Sequence, residues 1–557
     1  MGVKYDHNAV VITKAPTGFD FSVGQVQLPK DYGTPAYEAR PEVKAIKETV
    51  RKSLDDLDAA TGWKAKFKGQ KVLIKPNLVF VTPPGSYRFP YEIPQTTDPR
   101  VFDATMEVLT EICSDVVIGE GSGFVTWTNA KMAGYDRIAK KYNTKMVFFE
   151  EQPVERYFCP KAEIGQDVYV PKAIGEVIRG ERLYVSHPKM KTNIYTGVTL
   201  GFKNSMGTFS QNMRFRNHTY QINKKLTDLM YLFKPDLTII DALIGGAGNT
   251  PGPNIPVVVN KIITGTNAVE VDRVATYMMG FDPAENKLMQ EADKRGFGDP
   301  NVEVIGEKEV TPFVPADPSL LSDRFRKNWP NVKEYVGYTN PHVPKLTKLD
   351  GIPFEDVVAM ESYDYGGTPS TIGTTMEVMY ASYTYKLNKN RHLNIIVGEG
   401  AEFNGKKYWL GADGHAYSLE ELKALKGPTM VFGENSAPAK EAATKFFFVR
   451  GWGEIVNSAA RLFIAMMPSW PGQFHPPYLP LHIAGYCRKY AIKVAHTAMG
   501  HVTEPKFDAY SDKIFTIPEY VEKNLDCDFV EVPLPKLDLK GRWDAIKDVR
   551  WMGNFLF

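Results

Sequence analysis

The chain has 557 residues, of which 43% are hydrophobic and 24% are charged. This composition is typical of a folded globular protein of about two to four domains, and it argues against wholesale disorder or a fibrous repeat. The 67 basic and 65 acidic side chains leave a formal net charge of +2. Because no strong overall field would draw the protein to phosphate backbones, we predict no nucleic-acid partner.

The use of cysteine and histidine argues against a metal or disulfide framework. Four cysteines, Cys113, Cys159, Cys487 and Cys527, lie far apart and form no CxxC pair. The ten histidines include no HExxH or HxH motif. We therefore predict no metal site, and the scarcity of cysteine favours a reducing, cytoplasmic location.

Targeting and membrane signals are not expected from the sequence. Residues 1–20 lack the basic start and the apolar run of a signal peptide,. The most apolar stretch, 461–467, is followed directly by Pro468 and is far shorter than the roughly 18 apolar residues that a membrane span needs,. We predict no membrane span.

Apolar strand patterns alternate with helical patterns through the first 280 residues. A helix over 43–60 precedes a strand at 68–78, and a helix over 98–113 precedes a strand at 115–123,. Further strand patterns follow at 145–151, 182–192, 236–246 and 261–280. The alternation predicts an α/β fold with a largely parallel sheet and helices on both faces. Ligands of such sheets bind beyond the carboxyl ends of the strands.

The second half of the chain predicts a smaller unit. Residues 311–350 are rich in proline and charge, which suits a connection between a first domain at 1–310 and a smaller C-terminal α/β domain at 351–557,. Within the latter, the aromatic and proline-rich stretch 469–490 shows no periodicity. We interpret it as an irregular arm on the surface, with a lid or a subunit contact in a homo-oligomer as the alternatives.

The segment 186–207 carries the richest set of polar side chains. His187, Lys189, Lys191 and Thr192 follow an apolar strand, and Lys203 and Asn204 come next in a glycine-flanked stretch. Cations and exposed backbone N–H groups at a strand end suit a phosphate, carboxylate or enolate. A half-buried lysine there could also act as a base or nucleophile, whereas the alternative is that the lysines are solvated loop charges.

Other strand ends add candidates for the same site. A Pro-terminated strand delivers Lys75 and Asn77, and a glycine-rich turn presents Glu120 and Ser122,. Asp241 is predicted to close the strand at 236–246, where it could accept from a ligand hydroxyl, orient a lysine or cap the next element. The glycine- and proline-rich turn that follows presents Asn249. Asp272 lies on an apolar helix, where pairing with Arg273 or local capping is expected.

The order of these motifs resembles a known family. The segments KPNL, TTDPRVFDATMEVL, VVIGEGSG, SHPKMKTNIYTGVTLGFKNSMG, PDLTIIDALIGGAGNTPGP and TGTNAVEVDRVATYMMGFDP occur in this order between residues 75 and 283. They are similar to the domain of unknown function 362 family over about residues 70–310. The resemblance implies a fold and a site but no settled reaction. A more distant similarity links the PKMKT block to the N-terminal half of lactate-racemase-like proteins.

The chain departs from that family in one respect. Members are often joined to a four-cysteine ferredoxin-type module, and those cysteines are missing here. In addition, Trp452 stands where a cysteine and proline pair commonly follows the arginine and glycine. Both departures argue against a redox role that depends on a cluster.

Three hypotheses about function follow from the sequence. The first is an enzyme, an oxidoreductase or an isomerase- or racemase-like protein, that acts on a small anionic organic substrate. Lys189 and Lys191 would hold the anion, while His187 or a desolvated lysine, with Asp241 nearby, would move a proton. The second is a redox or redox-accessory protein that works with a separate iron–sulfur or flavin electron-transfer partner. The third is a non-catalytic assembly protein that uses the 469–490 arm. The sequence identifies no cofactor.

Overall fold

The computed structural model describes residues 2–79, 81–123, 125–215, 221–317, 319–338, 345–360, 368–449, 455–470, 472, 476–504 and 526–548. Trp452, at which the sequence departs from the related family, lies outside the described residues, as does part of the 469–490 arm.

The strands are numbered here in chain order. They are β1 Ala9–Lys14, β2 Lys71–Pro76, β3 Asp115–Glu120, β4 Lys145–Phe148, β5 Val154–Phe158, β6 Asp167–Pro171, β7 Leu183–His187, β8 Lys189–Asn193, β9 Gly197–Thr199, β10 Leu237–Ala247, β11 Ile255–Gly265, β12 Glu303–Ile305, β13 Val332–Val336, β14 Leu393–Val397, β15 Ala401–Phe403, β16 Lys406–Gly411, β17 Ala416–Ser418, β18 Thr429–Phe432, β19 Phe448–Val449 and β20 Val530–Val532.

The α-helices are numbered in the same way. They are α1 Pro35–Glu38, α2 Pro41–Thr61, α3 Trp63–Phe67, α4 Pro99–Ile112, α5 Thr126–Ala133, α6 Tyr135–Lys141, α7 Lys172–Ile178, α8 Gly201–Asn204, α9 Gln211–Phe215, α10 Ile222–Asp228, α11 Ala268–Met278, α12 Lys287–Lys294, α13 Asp323–Asn328, α14 Phe354–Met360, α15 Thr368–Ala381, α16 Tyr385–Asn388, α17 Leu419–Lys423, α18 Ile455–Ala465, α19 Leu479–Ala498 and α20 Leu539–Asp548.

The first sheet has the strand order β12-β1-β11-β10-β7-β2-β3-β4, with β8 and β9 attached beside β10. Its centre is parallel, since β10, β7, β2, β3 and β4 all run in one direction, and β11 alone runs against both of its neighbours. The predicted α/β fold with a largely parallel sheet is therefore confirmed. The carboxyl ends of β2, β3 and β7 lie at one edge.

Helices cover both faces of this sheet because its central strands are apolar on both sides. Val72 and Ile74 of β2 pack into one hydrophobic cluster with α2 and α4, whereas Leu73 packs into the cluster on the opposite face with α7. Strand residues alternate between the faces, so neighbouring positions of β2 enter different clusters. Burial on both faces explains the continuous apolar runs of these strands.

A second sheet lies in the C-terminal half, with the order β15-β16-β13-β14-β18-β19. Strands β13, β14 and β18 are parallel, and β16 runs antiparallel to β13. The predicted smaller α/β unit is therefore present. Its first strand, β13, lies inside the stretch 311–350 that was predicted as a connection. Val332 and Val336 of β13 pack with Leu393 of β14 in the core of this sheet.

Two C-terminal elements return to the first half of the molecule. Strand β20 pairs antiparallel with β5, and α19 contacts α5 and the turn Phe149–Glu151. Residues 479–490 of the predicted irregular arm are thus helical. Pro480 lies in the first turn of α19, where proline is tolerated because the missing N–H would have no intrahelical acceptor,. Among the described residues, no helix combines the length and the apolar character needed to cross a bilayer.

Candidate functional site

The lysines of the 186–193 segment lie on a strand of their own, which follows the apolar strand β7. After a break at Pro188 the chain enters β8, which pairs with β10 on one side and β9 on the other. The alternation of Lys189, Met190, Lys191 and Thr192 has the period of a strand, and Met190 is buried in an apolar cluster,. The lysines are consequently buried and are not solvated loop charges.

Lys75 and Glu120 form a buried ion pair where β2 and β3 end. The Lys75 Nζ atom lies 2.9 Å from Glu120 Oε1 and donates to Asn204 Oδ1 at 2.9 Å. Glu120 also accepts the N–H groups of Leu78, at 2.9 Å, and Gly121, at 2.6 Å. Both side chains are therefore fully engaged by protein groups.

Gly207 approaches this pair closely. A Cβ atom at Gly207 would lie 2.7 Å from Lys75 Cε and 3.0 Å from Glu120 Oε1. The glycine thus brings the turn after α8 against the ion pair, where a larger residue would displace it.

Lys191 is held by neutral acceptors only. Its Nζ atom donates to Asn77 Oδ1 at 2.9 Å and to the Gln95 carbonyl, and Asn77 Nδ2 donates in turn to Asn204 Oδ1 at 3.2 Å. Burial, followed by the positive charge of Lys203, holds the pKa of Lys191 well below its usual range,. An anion beside Lys191 would stabilise its protonated form.

Unlike Lys75, Lys189 and Lys191, Lys203 has no side-chain hydrogen bond or ion pair to a described residue. Its side chain is buried, with 9% of the residue surface exposed. Burial, together with the charges of Lys75 and Arg214, lowers the pKa of Lys203 to about 8. A buried ammonium group without an acceptor is costly unless a ligand supplies one.

Lys189 forms a second buried ion pair deeper in the sheet. Its Nζ atom lies 2.9 Å from Asp241 Oδ2, and both side chains are fully buried. The same oxygen accepts the Asp98 N–H at 2.7 Å, and the Asp98 carboxylate binds the Arg100 guanidinium. Asp241 does not close its strand as predicted, because Ala242, Leu243 and Ile244 are buried and continue β10 to Ala247.

His187 contacts α4. Its Nε2 atom lies 3.0 Å from Thr105 Oγ1, and its ring centroid is 5.6 Å from that of Phe102. Burial lowers the pKa of His187 to about 4, so the ring is neutral at pH 7,. Its Nδ1 atom has no hydrogen-bond partner among the described residues.

The remaining predicted residues line the surroundings of the lysines. Ser122 Oγ donates to the Leu78 carbonyl at 2.6 Å, and Thr192 Oγ1 donates to the Gly248 carbonyl at 2.6 Å. Asn249 Nδ2 donates to the Asp317 carbonyl at 2.8 Å, while its Oδ1 accepts the Asp317 N–H at 2.6 Å. Ser122, Thr192 and Asn249 are thus occupied in fixing loops.

Three residues near the site were missed by the sequence analysis: Gln95, Asp98 and Arg214. The Arg214 guanidinium donates to the carbonyls of Gly121 and Ser122, and no pattern around Arg214 indicates this. Asp98 is the N-cap of α4. Its place at the predicted start of that helix is the sequence feature that could have identified it.

Asp272 acts as a cap for a remote helix. Its carboxylate accepts the N–H groups of Gly201, at 2.8 Å, and Phe202, at 2.9 Å, whereas Arg273 pairs with Glu270. The expected Asp272–Arg273 pair is not formed, because the carboxylate faces the start of α8. Asp272 thereby fixes the helix that carries Lys203 and Asn204.

The donor set of this region suits an anion better than a cation. In the part of the chain that the structure describes, no group of three or more His, Cys, Asp or Glu side chains is arranged to hold a metal ion. The two carboxylates at the centre, Glu120 and Asp241, are each paired with a lysine. Positive groups without a carboxylate partner are left, and anions are their natural ligands.

Comparison with known proteins agrees with this arrangement of motifs. Residues 72–277 match the sequence model of the family described as Domain of unknown function (DUF362). Residues 72–277 are called the DUF362 domain here, after the family model that they match. Thylakoid-associated protein sll1697 of Synechocystis sp. is 23% identical over 235 residues, which are 41% of this chain and 68% of that relative. No solved structure matches the chain.

The DUF362 domain contains every candidate residue predicted from the sequence. Lys75, Glu120, Lys191, Lys203 and Asn249 all lie between residues 72 and 277, as does Arg214. Helix α19 and the second sheet lie outside this range. The site is therefore built by the DUF362 domain, with neighbours from the rest of the chain.

Proposed function

We propose that the protein is an enzyme that binds a small organic anion at Lys191 and Lys203 and transfers a proton on it. One observation carries the proposal. Lys75 and Lys189 each have a buried carboxylate partner, whereas the described residues offer none to Lys191 or Lys203.

The electrostatics support an anionic ligand. Lys191 and Lys203 are both buried, and the positive charge of Lys203 acts on Lys191. Burial destabilises the protonated form of each lysine. A carboxylate or phosphate between them would accept hydrogen bonds from both ammonium groups in a region with little solvent. Such charge-assisted bonds are stronger than neutral ones.

The pKa of Lys203 supports a role in proton transfer. Because burial lowers this pKa to about 8, part of the lysine population is neutral near pH 7 and can accept a proton from carbon or oxygen. His187 is neutral at that pH and is bonded to Thr105. We therefore assign the proton transfer to Lys203 and the holding of the anion to Lys191, in a reaction of the isomerase, racemase or oxidoreductase type.

Binding is tested by calorimetric titration of the full chain with acetate, lactate, pyruvate and inorganic phosphate. We expect at least one of these anions to bind, and we expect Lys203→Met to weaken it about tenfold or more, since a charge-assisted hydrogen bond is lost. The exposed Lys140 of α6 offers a matched control, so Lys140→Met should leave binding unchanged. An anion that binds equally to both variants would refute the site.

Proton transfer is tested separately by exchange in heavy water. The bound anion is incubated with the protein in D₂O, and NMR follows deuterium at the C–H next to the carboxylate of acetate or lactate and at the methyl group next to the ketone of pyruvate. We expect exchange with the wild-type chain and none with Lys203→Met. Binding without exchange for any 2-hydroxy or 2-oxo acid would leave an anion-binding protein and contradict the enzymatic part of the proposal.

The proposal also concerns the location of the protein in the cell, its partners and its oligomeric state. A cytoplasmic location agrees with the free thiols of Cys113, Cys159, Cys487 and Cys527,. A separate electron-transfer partner and a homo-oligomer stay predictions. Fractionation of cells and the solution mass of the purified chain are the measurements that check the location and the oligomeric state.

A further inference from the structure

Helix α19, which lies outside the DUF362 domain, packs tightly beside the candidate site. A Cβ atom at Gly485 would lie 2.1 Å from Thr128 Oγ1 of α5, so only glycine permits this approach of the two helices. One turn later, Arg488 forms a bidentate ion pair with Glu151 at 3.0 and 3.1 Å. These two contacts fix α19 against the loop that follows β4.

The buried face of α19 is polar and carries two lysines. His482, Gly485, Lys489, Lys493 and Thr497 are its buried residues, and their spacing of three or four places them on one face. Lys493 pairs with Glu504. Lys489, with 6% of its surface exposed, has no hydrogen bond or ion pair to any described residue.

Aromatic rings contact Lys489, and the carboxylates of Glu150 and Glu504 act on its charge without forming an ion pair with it. Its Nζ atom lies 5.1 Å and 4.8 Å from the ring centroids of Tyr486 and Tyr490, so two aromatic faces contact the ammonium group. Burial, followed by the charge of Lys493, lowers the pKa of Lys489 to about 8. Lys489 therefore repeats the condition of Lys203, a buried lysine without an acceptor.

Arg214 links the two unpartnered lysines. Its guanidinium donates to the carbonyls of Gly121 and Ser122, and its charge interacts with both Lys203 and Lys489. On the side of α19, Glu150 accepts the N–H and the hydroxyl of Thr126 at 2.7 and 2.8 Å. Arg214, bound to the glycine-rich loop after β3, thus lies near two buried lysines that have no hydrogen bond or ion pair to a described residue.

We propose that Lys489 binds a second anionic group of the same ligand, so that the substrate is a small organic molecule with two anionic groups. One group lies at Lys191 and Lys203, and the other lies at Lys489 next to Arg214. This inference rests on the proposed function, because it assigns the far end of the same bound molecule. Helix α19 would then select doubly charged substrates over singly charged ones.

The test compares anions of increasing length on the full chain. Acetate supplies one carboxylate, whereas malonate, succinate and glutarate supply two at growing separation, and phosphonoacetate replaces one carboxylate by a phosphonate. We expect one of the doubly charged compounds to bind about tenfold or more tightly than acetate, since it gains a second charge-assisted contact. A preference for phosphonoacetate over malonate would identify the second group as phosphate-like.

Variants of Lys489 test whether α19 causes the higher affinity for a dianion. Lys489→Met should lower the affinity for the preferred dianion to that of acetate and leave acetate binding within about twofold. Lys489→Arg keeps the charge and should keep the preference, and Lys140→Met is the exposed control. Circular dichroism and the melting temperature of each variant establish that it is folded, and Lys489→Arg gives an independent readout if Lys489→Met is not.

The outcomes separate this inference from the proposed function. If acetate binding depends on Lys203 but no dianion binds more tightly, the second subsite is refuted and the anion site stands. If a dianion gains affinity that Lys489→Met does not remove, its second group binds elsewhere and the inference is also overturned. If none of the compounds binds, both proposals fall.

Discussion

The two sheets of the molecule each carry a Gly–Glu–Gly segment at the end of a parallel strand, with opposite results. In the first sheet, Glu120 is buried and is bonded to Lys75, Leu78 and Gly121. In the second, Glu399 follows β14 with 42% of its side chain exposed, and its nearest cation is Lys407 at 3.7 Å. The same short motif therefore forms part of a charged cluster in one place and a solvated turn in the other.

Close contacts between backbones explain the difference. Gly398 has a φ of 89° and approaches Gly337 so closely that a Cβ atom would lie 1.6 Å from the Gly337 carbonyl oxygen. Gly400 N donates to the same oxygen at 3.1 Å. The ends of β13 and β14 thus touch each other and leave no room for side chains between them. Within the described residues of this sheet and its helices, 332–449 and 455–470 with their gaps, no lysine is buried.

Changing the glutamate of each segment to glutamine is expected to give the largest difference in the free energy of unfolding. Glu120→Gln leaves the buried ammonium of Lys75 without a carboxylate, so we expect the free energy of unfolding to fall by about 3 kcal/mol. Glu399→Gln should change it by less than about 0.5 kcal/mol, because an exposed ion pair contributes little. Urea-induced unfolding followed by circular dichroism measures both values. Equal effects would contradict the distinction between the two strand ends.

A second difference is the buried lysine on α8, beside the first sheet, that has no hydrogen bond or ion pair to a described residue. Lys203→Met removes a buried charge that lacks an acceptor, so we expect the variant to be more stable than the wild type at pH 7, by up to about 3 kcal/mol. The same change is expected to weaken anion binding about tenfold or more. Stability and binding would then respond in opposite directions to one substitution.

The pH dependence of this stabilisation has a defined sign. The pKa of Lys203 is about 8 in the folded chain and 10.5 in its usual, unfolded state. Between pH 8 and pH 10.5, Lys203 is therefore protonated in the unfolded chain and mostly neutral in the folded chain. The wild type therefore gains stability relative to Lys203→Met as the pH rises from about 8 to 10.5, and the advantage of the variant declines. Urea unfolding of both proteins at pH 7, 9 and 10.5 measures this. A constant difference across the series would show that Lys203 is not desolvated.

The sequence was sufficient to bring most of the site together. Parallel strands end at the same edge, so Lys75, Glu120 and the 186–207 segment could be placed side by side from their positions after apolar runs. Which lysines are paired could not be predicted, because it depends on register. Lys189 meets Asp241 only because β8 pairs with β10, and the strand pattern at 182–192 does not indicate a separate strand with that pairing.

Residues outside any motif were not accessible from the sequence. Arg214 and Gln95 contact the site through hydrogen bonds to or from backbone carbonyls, which follow no spacing rule. Lys489 lies more than 200 residues beyond the DUF362 domain, and only the return of α19 to α5 brings it near that domain. The proline content of 469–490 favoured an irregular arm, although Pro480 falls in the first helical turn, where it is compatible with a helix,.

Asn249 joins the two regions and gives the smallest expected effect. Its side chain exchanges hydrogen bonds with the backbone of Asp317 and lies 3.4 Å from Glu377 of α15, which itself binds Arg324. Asn249→Ala should therefore lower the free energy of unfolding by about 1 kcal/mol through lost hydrogen bonds and leave the affinity for anions unchanged. Calorimetric titration and urea unfolding of this variant measure the two quantities. A loss of anion affinity without a loss of stability would instead place Asn249 among the ligand-binding residues, as the sequence alone predicts, and would extend the site toward the second sheet.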